Sequence, residues 1–223
     1  AYEYWDNILG VVEEDSIILG AGTDDEFISL YMQEIEKISP GVEVITVESL
    51  TKDWRVKKIN EELGTELNVA KTREEAYDLF GEIIDEFIDR RPVYARVRLE
   101  NINYYQNLYG PVLKIEKSEN IYPNPELIHE IDVVKDENGK VYIVYMYILY
   151  GMNEFKNENN EDGLNYFLKA VEIDNESYDA WSNLGYAYYT LGDNGAAVIA
   201  LEHALEIEYS LELENLIQEI LVS

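Results

Sequence analysis

Three consecutive carboxylates, Asp24, Asp25 and Glu26, follow Gly20-Ala21-Gly22 and are the residues best placed by type and spacing to do chemistry. A glycine-flanked loop between a strand and a helix can cradle a nucleotide phosphate. Here the third glycine of the dinucleotide fingerprint and the P-loop lysine are both missing. A phosphate would also meet negative charges that already use the helix dipole and the free N–H donors it needs. The same carboxylates can hold a divalent cation or sugar hydroxyls, because open α/β sheets bind ligands beyond the carboxyl ends of their strands. The competing role is helix capping, which an acidic first turn favours.

No other set of residues is spaced for catalysis. Ser, His and Asp form no recognisable triad, His129 and His203 lie far apart, and cysteine is absent, so thiol chemistry and Cys-rich zinc sites are excluded. His203 reads as an exposed helical residue between Glu202 and Glu206. No catalytic residue, metal ligand set or cofactor is assigned. Arg90, Arg91, Arg96 and Arg98 form the one basic island and are expected to pair with acidic residues of the second half as a domain interface. Asn175-Glu176-Ser177 spells a glycosylation sequon that arises readily by chance.

The elements that must position these residues fall into two groups. Asp15 to Gly20 reads as a buried strand, and Thr23 to Glu26 as a capping box opening a helix with Phe27, Leu30, Tyr31 and Ile35 on its apolar face. Val42 to Val47 alternates as a second strand, Asp53 to Leu63 is a helix stopped by Gly64, and Thr72 caps a long helix. The apolar face of that helix is Ala76, Leu79, Phe80, Ile83, Ile84, Phe87 and Ile88. Pro92 to Val97 and Pro111 to Ile115 suit two more strands, joined by a tyrosine-rich connection. The pattern predicts an α/β domain over 1–118, Rossmann-like and three-layered with a mostly parallel sheet. An irregular joint over 119–140 follows, with a hairpin at Asn138-Gly139.

Residues 144–211 hold two consecutive 34-residue tetratricopeptide repeats. In the second, the pattern residues are Trp181, Leu184, Gly185, Tyr188, Ala197, Leu201 and Ala204. The first copy is degenerate but keeps Tyr147, Tyr150, Gly151, Gly163, Phe167 and Ala170. Leu213, Leu216, Ile217 and Ile220 continue the helical period as a cap, so 141–223 is predicted to be all-α. Such arrays bind along their inner helices. The groove positions are Asp179, Ser182, Asn183, Tyr186 and Tyr189, with Tyr145, Ile148, Leu149 and Met152 from the first copy.

A net charge of −29 makes nucleic acid and anionic lipid poor partners, and no Lys or Arg occurs beyond Lys169. A peptide partner should therefore be neutral or basic. No run of eighteen apolar residues is present, and the start at Ala1 without Met reads as an excised piece of something larger.

The stretch Trp5 to Trp54 resembles the soluble part of a family of polytopic membrane proteins related to protein O-mannosyltransferases, of the GT-C type. The similar segments are Ser16 to Leu19, Thr23 to Phe27, Tyr31 to Glu34, Val42 to Ile45, Ser49-Leu50 and Asp53-Trp54, with Arg91 to Ala95 matching a later strand. The family's first loop aspartate is Thr23 here and its asparagine is Asp24. The resemblance implies a non-catalytic domain on the extracytoplasmic face of the cell membrane, whose repeats bind a protein or acceptor. Transferase chemistry would lie in a transmembrane region absent from this chain. The rival expectation is a freestanding cytoplasmic adaptor in which the repeats recruit a protein partner.

Overall fold

The computed structural model describes residues 2–20, 22–123 and 137–222. Two compact units emerge, one of Tyr2–Asn107 with Val112–Asn120, the other including Leu108–Pro111 and Ile121–Ser223.

In the first unit, α1 (Tyr2–Val11) precedes β1 (Ile17–Gly20), α2 (Thr23–Glu34) and β2 (Glu43–Thr46). Then come α3 (Val47–Leu50), α4 (Asp53–Leu63), α5 (Arg73–Phe87), β3 (Val93–Ala95), β4 (Tyr105–Tyr109) and β5 (Val112–Glu116). The strands make one sheet in the order β2-β1-β3-β5-β4. β1 runs parallel to both β2 and β3, and β5 is antiparallel to β3, so the mostly parallel sheet expected from the sequence is a mixed one. The reason lies in the tyrosine-rich connection. Residues 105–109 form a strand of their own, turned back by Gly110 at φ +57, the positive angle that the first central residue of a two-residue hairpin turn needs.

Local signals set most of the boundaries. Thr72 accepts the Glu75 amide at 3.1 Å, which starts α5, and Gly64 closes α4 in the left-handed conformation at φ +69. Helix α5 buries Ala76, Leu79, Phe80, Ile83, Ile84 and Phe87 as its period requires. Helix α2 does the reverse. Its cap is Gly22 rather than Thr23, and it turns Asp25, Glu26, Ser29 and Met32 inward. Phe27, Tyr31 and Ile35 stay 66%, 50% and 68% exposed, opposite to the face the apolar spacing predicted.

The second unit is helical: α6 (Glu137–Lys156), α7 (Asn160–Ile173), α8 (Tyr178–Thr190), α9 (Asn194–Ile207) and α10 (Leu211–Val222). Asn138-Gly139 lies in the first turn of α6, not in a hairpin, because the apolar run that follows propagates helix back through it. The rest of the expected joint, 124–136 with His129, lies outside the described residues. Helix crossings are made by small residues. A Cβ on Gly185 would stand 2.5 Å from Leu201 Cδ2, and one on Gly151 would stand 2.6 Å from the Phe167 ring. Ala197, Leu201 and Ala204 pack with Leu213, Ile217 and Ile220 of α10. Helices α7 and α9 end on acidic C-caps, Asp174 and Glu208, one repeat apart.

Candidate functional site

The order of the sheet reverses between β1 and β3, so the carboxyl ends of these two strands flank the crevice where open α/β folds take ligands. In this chain an ion pair fills it. Arg96 follows β3, donates its backbone N–H to Leu19 O at 2.9 Å, and donates Nε to Asp25 Oδ2 at 2.6 Å. The same carboxylate oxygen accepts the Gly22 amide at 3.2 Å, and Asp25 is fully buried. A Cβ on Gly20 would meet Asp25 Oδ2 at 3.1 Å. Gly20 therefore makes room for a carboxylate of the chain itself rather than for a phosphate.

Glu26 is held by charge rather than by a hydrogen bond. Arg55 of α4 is 3% exposed, with Nε 3.2 Å from Glu26 but not hydrogen-bonded to it, Nη2 3.3 Å from both Glu43 and Val44 O, and Nη1 3.9 Å from Glu62. Burial pushes the Glu43 carboxyl above its ordinary value, with Arg55 opposing the shift and Glu62 adding to it. Of the three candidate ligands, Asp25 and Glu26 face arginines, and a cation or sugar at either would have to displace a guanidinium. The Asp24 side chain lies outside the described residues. Among the described residues no group of three or more His, Asp or Glu is arranged to hold a metal ion.

The arginine island is a correction. Arg90 pairs with Glu86 one helical turn away. Arg91 donates to Asp15 O at 2.7 Å and Gly41 O at 3.2 Å, and Arg96 is taken by Asp25. These three find partners inside the α/β unit, where strand ends and helix C-termini offer carbonyls and carboxylates. Arg98 lines a cleft of about 550 Å³ with Arg73, Tyr77, Asp78 and Glu100.

In the repeats, the nine expected groove positions divide by depth. Ile148, Leu149 and Ser182 are buried, the last with its hydroxyl turned back to Tyr178 O. Tyr145 and Asn183 are half-buried, and Asn183 donates to Asp179 O at 2.8 Å. Met152, Tyr186 and Tyr189 are each 36% exposed, and Asp179 is exposed. Tyr186 donates its hydroxyl to Glu212 of α10 at 2.9 Å, and partial burial together with that bond pushes its pKa up to about 12. Glu212 was missed from sequence because α10 reads there only as a cap. His203 is exposed as expected, but its ring stacks on Trp181 with centroids 4.6 Å apart.

No described helix is long and apolar enough to cross a membrane. Among curated proteins none matches the chain. The family described as TMEM260-associated domain 2 matches residues 1–140, and the tetratricopeptide repeat family matches residues 178–210, the second copy read from the sequence. With well over half of its length covered by the first match, the chain belongs to the TMEM260-associated domain 2 family and carries a tetratricopeptide repeat behind that domain.

Proposed function

We propose that the chain is the extracytoplasmic part of a membrane glycosyltransferase-like protein, and that its repeats bind an extended, neutral or basic segment of a partner or acceptor. The family's name points to a membrane parent, since TMEM260 is an O-mannosyltransferase-like membrane protein. The repeat supports protein–protein interaction. The observation that carries the binding mode is the open side of α8. Tyr186 and Tyr189 offer broad amphipathic surfaces at low entropic cost, and Asp179 and Asn183 lie beside them on the same helix. With no Lys or Arg after Lys169, the surrounding field favours basic residues in the bound segment.

A peptide array probed with the full chain at low and high salt tests the binding mode. Neutral and basic peptides should be retained, with signal falling as salt screens the surface within about 8 Å. Tyr186→Ala with Tyr189→Ala should weaken retention about tenfold or more. A preference for acidic peptides, or no retention in either salt, overturns the binding mode. The membrane setting has its own test: a parent reading frame encoding no transmembrane helix overturns it.

A further inference from the structure

The strongest unexplained feature is the reversed helix α2. Buried Arg96 and Arg55 draw Asp25 and Glu26 inward, so the apolar stripe of the helix is left facing solvent. Phe27, Tyr31 and Ile35 recur at i, i+4 and i+8, and Trp54, 64% exposed, stands on the adjoining α4 directly before Arg55, the residue that ties α4 to α2. Taking about 150–250 Å² for an aromatic side chain, the four together expose roughly 500 Å² of largely apolar surface on two helices. Exposed apolar area of that order is about the most an ordinary monomer shows, and it is often functional.

Three observations select what covers it. A stable dimer buries about 800 Å² per partner, so the patch is too small to make a second copy the occupant. A partner helix laid between α2 and α4 would need an apolar floor. The cleft there is small, about 130 Å³, and its apolar members Leu30, Pro40 and Val42 are outnumbered by charged ones such as Glu34, Lys37, Glu43, Arg55, Lys58 and Glu62. The apolar side chains instead stand outward, where they can enter a soft, partly hydrated phase without dehydrating those charges. Lysines also occur along these two helices and their flanks. Lys37, Lys52, Lys57 and Lys58 accompany Asp24, Glu34, Glu36, Asp53, Glu61 and Glu62, with Lys37 and Lys58 paired to Glu34 and Glu62, so these segments are far less acidic than a chain of net charge −29 as a whole. Aromatic and aliphatic side chains rimmed by snorkelling lysines are what the headgroup boundary of a bilayer accommodates.

The geometry points to α2 and the start of α4 as a membrane-resting face, with Phe27, Tyr31, Ile35 and Trp54 entering the headgroup boundary of a zwitterionic bilayer. Anionic lipid is disfavoured by the net charge of the whole chain. This adds a contact surface to the membrane setting proposed above. It fails separately from the peptide-binding mode, since vesicle binding does not use the groove of the repeats.

The test uses the full chain and phosphatidylcholine vesicles with brominated acyl chains. Trp5 is 1% exposed and Trp181 is half-buried, so Trp54 is the tryptophan placed to be quenched. Quenching that disappears in Trp54→Phe is expected. Phe27→Asp with Ile35→Asp should lower vesicle partitioning tenfold or more while leaving circular dichroism and the thermal transition unchanged, since both side chains already face water. Absence of quenching at millimolar lipid overturns the proposal, as does partitioning that the double variant leaves intact. Binding that requires anionic lipid and vanishes in salt also overturns it. Sedimentation completes the test: an oligomer dissolved by the double variant, without vesicle binding, assigns the stripe to a protein contact and overturns the lipid reading.

Discussion

Helices α2 and α8 both carry apolar residues at helical spacing, yet α8 packs them as its pattern predicts and α2 turns them out to solvent. In α8 the residues that decide orientation are local. Gly185 meets Leu201 of the next helix, and Trp181 and Tyr188 pack on the cluster that α9 and α10 complete. In α2 the deciding partner of Asp25 is Arg96, 71 residues away. A guanidinium already committed to the interior must find a carboxylate, because an unpaired buried charge costs several kcal/mol. Exposing a phenylalanine, an isoleucine and a tyrosine costs about 1.5–3 kcal/mol each at most, and less here because each stays partly covered, whereas α2 satisfies two buried guanidinium groups, Arg96 and Arg55. The comparison shows that hydrophobic period fixes orientation only where no buried charge outbids it.

The largest test of this contrast is Arg96→Met. With Asp25 left buried without its cation, the α/β unit should lose about 3–5 kcal/mol, read from its chemical unfolding transition. Adding Asp25→Asn should return most of that loss. If Arg96→Met alone proves neutral, the ion pair does not hold α2 in its reversed orientation. Next in size, Gly185→Ala forces a methyl to within 2.5 Å of Leu201 and should destabilise the repeat unit by about 1–3 kcal/mol.

Substitutions on the outward stripe should be far milder. Phe27→Ser and Ile35→Ser are expected to change stability by no more than about 0.5 kcal/mol, against about 3–5 for Phe80→Ala in α5, where the apolar face is buried. Equal losses at Phe27 and Phe80 would erase the distinction between the two helices.

The smallest effect is a pH window. The Tyr186 pKa is raised from 10 to about 12, so its contribution is whole below pH 10 and is lost as pH climbs through the folded value. Tyr186→Phe should flatten that alkaline loss relative to the parent chain in melts taken from pH 9 to 12. Identical profiles would show that the hydroxyl does not bind Glu212 in solution.

Much of the architecture was legible because its causes are short-range. Thr72, Gly64 and the 34-residue period each act within a few turns of chain. The candidate site was only partly legible. The three acids were visible, but whether they cap, bind or pair depends on Arg55 and Arg96, which arrive from other elements. A signal was present: both arginines sit inside apolar runs, Trp54-Arg55-Val56 and Ala95-Arg96-Val97, where a cation needs an internal anion. The strand at 105–109 was hidden because Tyr-Gln-Asn-Leu-Tyr lacks the apolar–polar alternation of a half-covered strand, and its buried positions, Asn107 and Leu108, are neighbours. Tyr186 and Glu212 escaped because their bond crosses from a repeat helix to the cap.

The paired acidic C-caps Asp174 and Glu208 carry one further consequence. The carbonyl end of a helix has a negative pole equivalent to about half a charge, and a carboxylate beside it adds repulsion of about 0.3–1 kcal/mol where a lysine would give relief. Helices α7 to α10 have no basic residue in their last turns. One repeat apart, two such poles form a recurrent site of uncompensated field. Moderate salt, which screens that repulsion, should therefore raise the melting temperature of the repeat unit.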